Sequence, residues 1–427
     1  MKTLHSLLRG ALLRRLALPV LLWSFAGPAT GAALQPQIRV VPDGESRVKA
    51  EDCYGILVGP GVNEPEPFPG YRGFVGWVTP HQLKNGTWLV AFSAGYWHAS
   101  APTPLSYAPE TLARYYKLGL PADIVAPTGG RAMLIRSTDQ GKSWSKPETL
   151  IDTPMDDRHP ALAELADGTL LCVFFTYQGK LWTTNPSRVP RVRTTRSTDG
   201  GRTWDKNFGT TPTPFVWDQI ECPLVPLKDG SVLVPISGQS VNGKPEQSDQ
   251  SAMLRTADGG KSWEVLGTIG SDHPIVEESV AELPDGRLVM MSRPEGDVSW
   301  SSDGGRTWTP PVSFGLRMFA PALTLLRDGT LVCLHGSYNP QHRGLRAIFS
   351  TDGGLTWVAP AKDHGFLVDT AYGYARAMEL ADGSLYITYQ DTGGHTSKDA
   401  SHMALRALRL RVRADRSGID LLPAPNR

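Results

Sequence analysis

Five stretches of this chain hold residue types that could do chemistry together. EESVAELPDGRLVMMSR offers Glu277 or Glu278 before an Asp-Gly turn and Arg293 after it. TAYGYARAMELADGSLYITY offers Tyr374, eight residues before Asp382, with Tyr372 one pleat away. Arg343 and Arg346 stand in NPQHRGLRAIFSTDGG, Arg72 stands in YRGFVGWVTP, and Asp156-Asp157-Arg158-His159-Pro160 forms a further charged cluster. A phenol beside a carboxylate can serve as a nucleophile beside its base, and an Asp can move a proton. Arginines can hold an anionic group through bidentate, charge-assisted bonds. The histidines are scattered without metal-ligand spacing, and neither a Gly-rich phosphate loop nor a Ser-His-Asp signature occurs. Nothing in the sequence calls for a cofactor.

Residues so far apart can cooperate only if repeated elements bring them to one place. A motif of the form Ser/Thr-x-Asp-x-Gly-x-Ser/Thr-Trp begins at Ser137, Ser197, Thr256, Ser301 and Ser350. Its Asp can accept hydrogen bonds from backbone a few residues on, its Gly supplies a positive φ, and its Trp packs on a neighbouring sheet. These boxes are structural turns, not metal or catalytic sites. A second motif places Asp-Gly or Asn-Gly between apolar runs, at Gly86, Gly168, Gly230, Gly286, Gly329 and Gly383, the signature of tight hairpins.

Each unit therefore reads strand, tight turn, strand, connection, strand, box turn, strand, which is one four-stranded antiparallel blade. Six units predict an all-β, six-bladed β-propeller spanning 34–427 as one domain. The sixth unit lacks a box, and Ile38–Val41 is expected to supply its outer strand and close the ring. Helical periodicity is confined to Pro109–Leu118, within a long Pro- and Tyr-rich stretch from Ala94 to Arg131 that reads as an ordered lid.

The box-and-hairpin units, which cover nearly all of the chain after residue 33, resemble the sialidase (neuraminidase) superfamily. Sialic acid carries a carboxylate on its anomeric carbon, which would repel a carboxylate nucleophile. The resemblance accordingly implies a Tyr nucleophile activated by Glu, a set of arginines around the substrate carboxylate, and an Asp as acid/base. On that pattern Glu277 is the activating Glu, with Glu278 its competitor, and Arg293 is one of the arginines. Tyr374 is the nucleophile, with Tyr372 as the alternative. Arg343 suits the next arginine position, whereas Arg346 has the opposite strand parity. The first unit departs from the family's Arg-Ile-Pro, leaving Arg72 farther from the Asn85-Gly86 turn than the pattern expects. The acid/base Asp is displaced too. The first unit's loop holds only Asp123, so Asp157 takes the role, with Asp156 as its neighbour and Arg158 as an additional anion binder. The implied activity is an exo-acting, retaining hydrolase that releases terminal sialic acid or a related acidic sugar. Two rivals stand beside it: a hydrolase or lyase for another acidic sugar such as a uronate, and a non-catalytic propeller that binds glycans or proteins.

Composition narrows the partners. A formal net charge of +1 over 427 residues gives no basic footprint for nucleic acid; the resemblance implies a glycan or glycoconjugate as the partner, and a monomer is expected. Lys2, Arg9, Arg14 and Arg15 precede an apolar run from Leu16 to Phe25 and the small residues Ala29, Gly31, Ala32 and Ala33. Residues 1–33 thus read as a signal peptide, too short in its apolar part to span a membrane, and predict an exported protein, periplasmic or secreted. Cys172 and Cys333 lie in strand-like runs and read as buried thiols, and Cys53 could bridge to Cys222 in an oxidising compartment.

Overall fold

The boxes fold as their chemistry demands. In the first, the Ser137 hydroxyl donates to Asp139 Oδ1 at 2.7 Å and accepts the Gly141 N–H at 2.8 Å. Asp139 also accepts the N–H of Ser143 at 2.9 Å and its hydroxyl at 2.5 Å. The same arrangement recurs around Asp199, Asp258 and Asp303. Gly141 has φ 81°, a conformation in which a Cβ would also strike the Trp88 ring. Each box closes the outer hairpin of one blade, and its Asp saturates the turn's backbone donors.

The computed structural model describes residues 34–96, 100, 113, 126–177, 190–240, 250–371, 373–391 and 403–427. The proposed signal segment, Asp123, Tyr372 and nearly all of the expected helical stretch lie outside the described residues. From Gln35 onward the chain forms one compact unit.

Six sheets follow one another along the chain and make the propeller ring. The first is built from Phe74–Gln82, Trp88–Gly95, Arg131–Ser137 and Glu148–Ile151, the second from Asp156–Glu164, Leu170–Tyr177, Arg191–Ser197 and Gly209–Thr210. The third splits its innermost strand into Phe215–Gln219 and Val225–Pro226, followed by Val232–Ser240, Gln250–Thr256 and Glu264–Ile269. Val276–Glu282, Leu288–Arg293, Asp297–Ser301 and Val312–Ser313 form the fourth, and Met318–Leu325, Leu331–Ser337, Leu345–Ser350 and Thr356–Ala359 the fifth. The sixth starts with Gly373–Glu379, Leu385–Asp391 and Ala404–Val412. Apolar side chains from facing sheets meet between every pair of neighbouring blades, giving six cores in place of one.

Closure differs from the sequence expectation. Gly55–Val58 and Ile419–Leu422, not Ile38–Val41, pair antiparallel with the two ends of Ala404–Val412 and complete the sixth blade. Gln37–Val40 instead runs parallel to Thr356–Ala359 at the outer edge of the fifth. Only antiparallel partners continue the blade's own ladder, and the chain supplies one from each of its ends. A second difference concerns sulfur: Cys53, Cys172, Cys222 and Cys333 are all buried and free, so no Cys53–Cys222 bridge forms. Among the described residues no helix is long and apolar enough to cross a membrane.

Candidate active site

The innermost strands share one irregularity. In all six blades that strand carries a register shift against its neighbour, at Gly76/Thr79, Arg158/Ala161, Phe215/Asp218, Val276/Ser279, Phe319/Ala322 and Gly373/Arg376. Within every shift but the third blade's, one non-glycine residue adopts left-handed backbone: Trp77 (φ 51°), His159 (52°), Glu277 (54°), Ala320 (46°) and Tyr374 (51°). Such a residue costs about 1–2 kcal/mol relative to ordinary strand geometry. Each stands eight residues before the Asp or Asn of its hairpin turn, and in the third blade the same count reaches Glu221, between the two short inner strands. The bulge re-aims one side chain per blade.

Neighbouring blades hold these bulges in place. The Trp77 N–H donates to Gln390 Oε1 of the sixth blade at 2.6 Å, and the His159 N–H to Ser93 Oγ of the first at 3.2 Å. A Cβ at Gly76 would lie 2.5 Å from that same Gln390 oxygen, so the glycine is what lets Gln390 reach across.

At the fourth, fifth and sixth blades the re-aimed residues meet. The Tyr374 hydroxyl donates to Glu277 Oε1 at 2.6 Å, and Arg293 Nη1 donates to the same oxygen at 2.6 Å. The Ala320 N–H donates to Glu277 Oε2 at 2.5 Å. Glu277 is 1% exposed, so three donors from three blades converge on a carboxylate shielded from water. Burial works against the Arg293 guanidinium, but Glu277 above all, then Tyr374, Tyr338 and Glu221, hold it more firmly charged than an ordinary arginine. Glu278, the competitor, points elsewhere: its carboxylate accepts from the hydroxyls of Ser237, at 3.1 Å to Oε2, and Ser251 of the third blade.

An aromatic wall stands opposite. Trp77 and His159 stack with centroids 4.7 Å apart, His159 lies over Phe175 at 5.6 Å, and its edge faces Tyr374 at 6.0 Å. Burial first, then Arg376 and Arg158, keeps the His159 imidazole well below its usual pKa, hence neutral. Trp77, His159, Glu221, Cys222, Tyr374 and Arg376 line one small cavity. Arg376 is buried, donating to the carbonyls of Ala375 (2.8 Å) and Glu221.

The other sequence candidates have different surroundings. Arg158 is sandwiched between the Trp77 and Tyr177 rings, at 4.9 and 4.5 Å, and paired with Asp156 at 2.5 Å. Asp156 also accepts the Ser100 N–H at 3.1 Å. Asp157 is fully enclosed, its oxygens accepting the Thr153 N–H at 2.7 Å and hydroxyl at 2.8 Å, and burial lifts its pKa to about 8. These bonds cap its own loop, and none joins it to Glu277 or Tyr374. Arg72 is exposed and rests on Tyr96, with Nη1 3.2 Å from the phenol oxygen. The first blade therefore presents Trp77 where an arginine was expected. Arg343 is exposed in the turn before Leu345, while Arg346 is buried and donates to the His342 and Gly365 carbonyls, as its strand parity predicted. The sequence reading missed Trp77, Glu221 and Arg376 and gave His159 no role. The eight-residue count applied to Tyr374 would have found three of these four.

Comparisons with known proteins agree with this architecture. Residues 132–387 match the family model described as a BNR repeat-like domain. A curated "Sialidase" from Bacteroides fragilis (strain YCH46) is 22% identical over 331 residues, covering 65% of this chain and 56% of that protein. The chain thus spans little more than half the length of that relative. Among solved structures, a protein of unknown function from Dyadobacter fermentans superposes with a TM-score of 0.60 at 19% identity, covering 83% of this chain and 98% of the other. A Hadza microbial sialidase superposes with a TM-score of 0.56 at 17% identity, covering 78% and 65%.

Proposed function

Because the chain belongs to the BNR repeat-like family, the Asp-box propellers of the sialidase superfamily, we propose that it is a retaining glycoside hydrolase. It removes a terminal sialic acid or related acidic sugar from a glycan, with Tyr374 as nucleophile and Glu277 as its base. The observation that carries this reading is the 2.6 Å bond from the Tyr374 hydroxyl to Glu277 Oε1. A phenol is a weak nucleophile until a base takes its proton, and a base within hydrogen-bond reach is the required geometry. Neutral until it reacts, the phenol also meets no repulsion from a carboxylate on the anomeric carbon. Arg293 and the Ala320 N–H then stabilise the carboxylate and fix its orientation.

One observation widens the range of sugars beyond sialic acid: Trp77 occupies the first blade's re-aimed position, and Arg72 lies out on Tyr96. A uronic acid, whose carboxylate sits on a different carbon, is the second reading. Export, the expectation from residues 1–33, suits an enzyme that meets glycans outside the cell. The test is release of 4-methylumbelliferone from a panel of sialosides and uronides by the wild type and Tyr374→Phe. Turnover by the wild type, with a loss of at least a hundredfold in the variant, is expected. Failure of the wild type on every acidic sugar would support a binding propeller instead.

A further inference from the structure

A tyrosyl nucleophile completes only half of a hydrolysis, because the departing sugar oxygen also needs a proton. We infer that Glu221 supplies it, an inference that rests on the tyrosine–glutamate reading above. Glu221 holds the third blade's counterpart of the Glu277 and Tyr374 positions, eight residues before Asp229, and in ring order it sits between His159 and Glu277. It lines the same cavity as Tyr374, His159 and Trp77. Its backbone is pinned there, since its carbonyl accepts from Arg376 and from the His159 ring. Unlike Glu277 and Glu278 it is partly exposed, as a group that must meet substrate oxygen has to be.

The steps balance with water as the only co-reactant. Tyr374 Oη attacks the anomeric carbon as its proton passes to Glu277. The bond from that carbon to the leaving oxygen breaks, and the oxygen takes the proton of the Glu221 carboxyl. The Glu221 carboxylate then accepts a proton from water, whose oxygen attacks the anomeric carbon. The bond to Tyr374 breaks, and its oxygen recovers the proton held by Glu277. Sugar and alcohol leave, and both side chains return to their starting forms.

Leaving-group dependence tests this directly. Glu221→Gln should lower kcat/KM for a methyl sialoside, or a methyl uronide if that is the sugar accepted, by roughly 10²–10⁴-fold. A 2,4-dinitrophenyl glycoside of the same sugar, which departs without a proton, should suffer less than about tenfold in the glycosylation step. The wild type offers a second measurement that needs no variant: the alkaline fall of kcat/KM should be steep for the methyl glycoside and shallow for the dinitrophenyl one. An equal loss for both leaving groups, or no loss for either, overturns the role of Glu221. If Tyr374→Phe keeps wild-type rates, the tyrosine mechanism fails instead, so the two failures are distinguishable.

Discussion

Glu277→Gln is the most informative single change, because three bonds converge on that carboxylate and an amide can keep only part of them. With its oxygen in the place of Oε1 the glutamine keeps Tyr374 and Arg293, whereas its NH2 group must face the Ala320 N–H. The variant therefore loses the Ala320 bond to a carboxylate, worth about 1.5–3 kcal/mol, and weakens the Arg293 bond from an ion pair to a bond with a neutral oxygen, a further loss of about 1 kcal/mol. The Arg293 side chain is 32% exposed, so water recovers part of that further loss. A destabilisation of about 3 kcal/mol results. For a unit spanning Gln35–Arg427 the unfolding entropy is roughly 0.8 kcal/mol per kelvin, giving a fall in Tm of about 4 °C. Glycoside turnover should fall far more, by at least a hundredfold, since the base is gone. Calorimetry and a fluorogenic assay on one preparation measure both. Glu278→Gln is the internal control: it disturbs Ser237 and Ser251, so it should lower Tm while leaving most of the turnover. Reasoning from the three-donor site is refuted if Glu277→Gln melts within a degree of wild type, or if the Glu278 variant loses more activity than the Glu277 variant.

Two further outcomes concern the scaffold. Side-chain and backbone donors of the boxes hold Asp139, Asp258 and Asp303 down at about 2, against about 3.9 for a free Asp. A depressed carboxylate stabilises the fold above its unfolded value and stops doing so as pH falls through its folded value. Urea midpoints should therefore drop between about pH 4 and pH 2, and less steeply in Asp303→Asn; an equally steep fall in that variant counts against the box as the source. The four buried thiols should ignore a thiol reagent in the native protein, since burial pushes Cys333 up to about 12 and Cys222 well above its ordinary value. All four should then react after unfolding without reductant, and a count of two would disclose a bridge.

Much of this molecule was legible in its sequence, for a physical reason. Boxes and Asp-Gly turns depend on bonds within eight residues, so local chemistry alone specifies them. Glu277, Arg293 and Tyr374 were legible because their offsets from those turns are fixed by the blade. Ring closure was not, because Ile38–Val41 and Gly55–Val58 are both short apolar runs, and long-range pairing decides between them. Glu277 and Glu278 could not be separated by strand parity, since the bulge breaks the alternation at that point. Asp157 looked available from its place at a strand start, yet Thr153, four residues earlier, takes both its oxygens.

Around the ring five bulges and the break in the third blade's inner strand present Trp77, His159, Glu221, Glu277, Ala320 and Tyr374, one word of six letters written on a repeated scaffold. Hairpins and boxes keep the register from the periphery, so any letter can be exchanged without altering the alphabet of strands beneath it. Ala320 is the blank: it lends its backbone N–H to Glu277 and puts only a methyl group beside the tyrosine. Propellers of this kind can acquire new chemistry by spelling changes at six addresses, with the printing press left as it was.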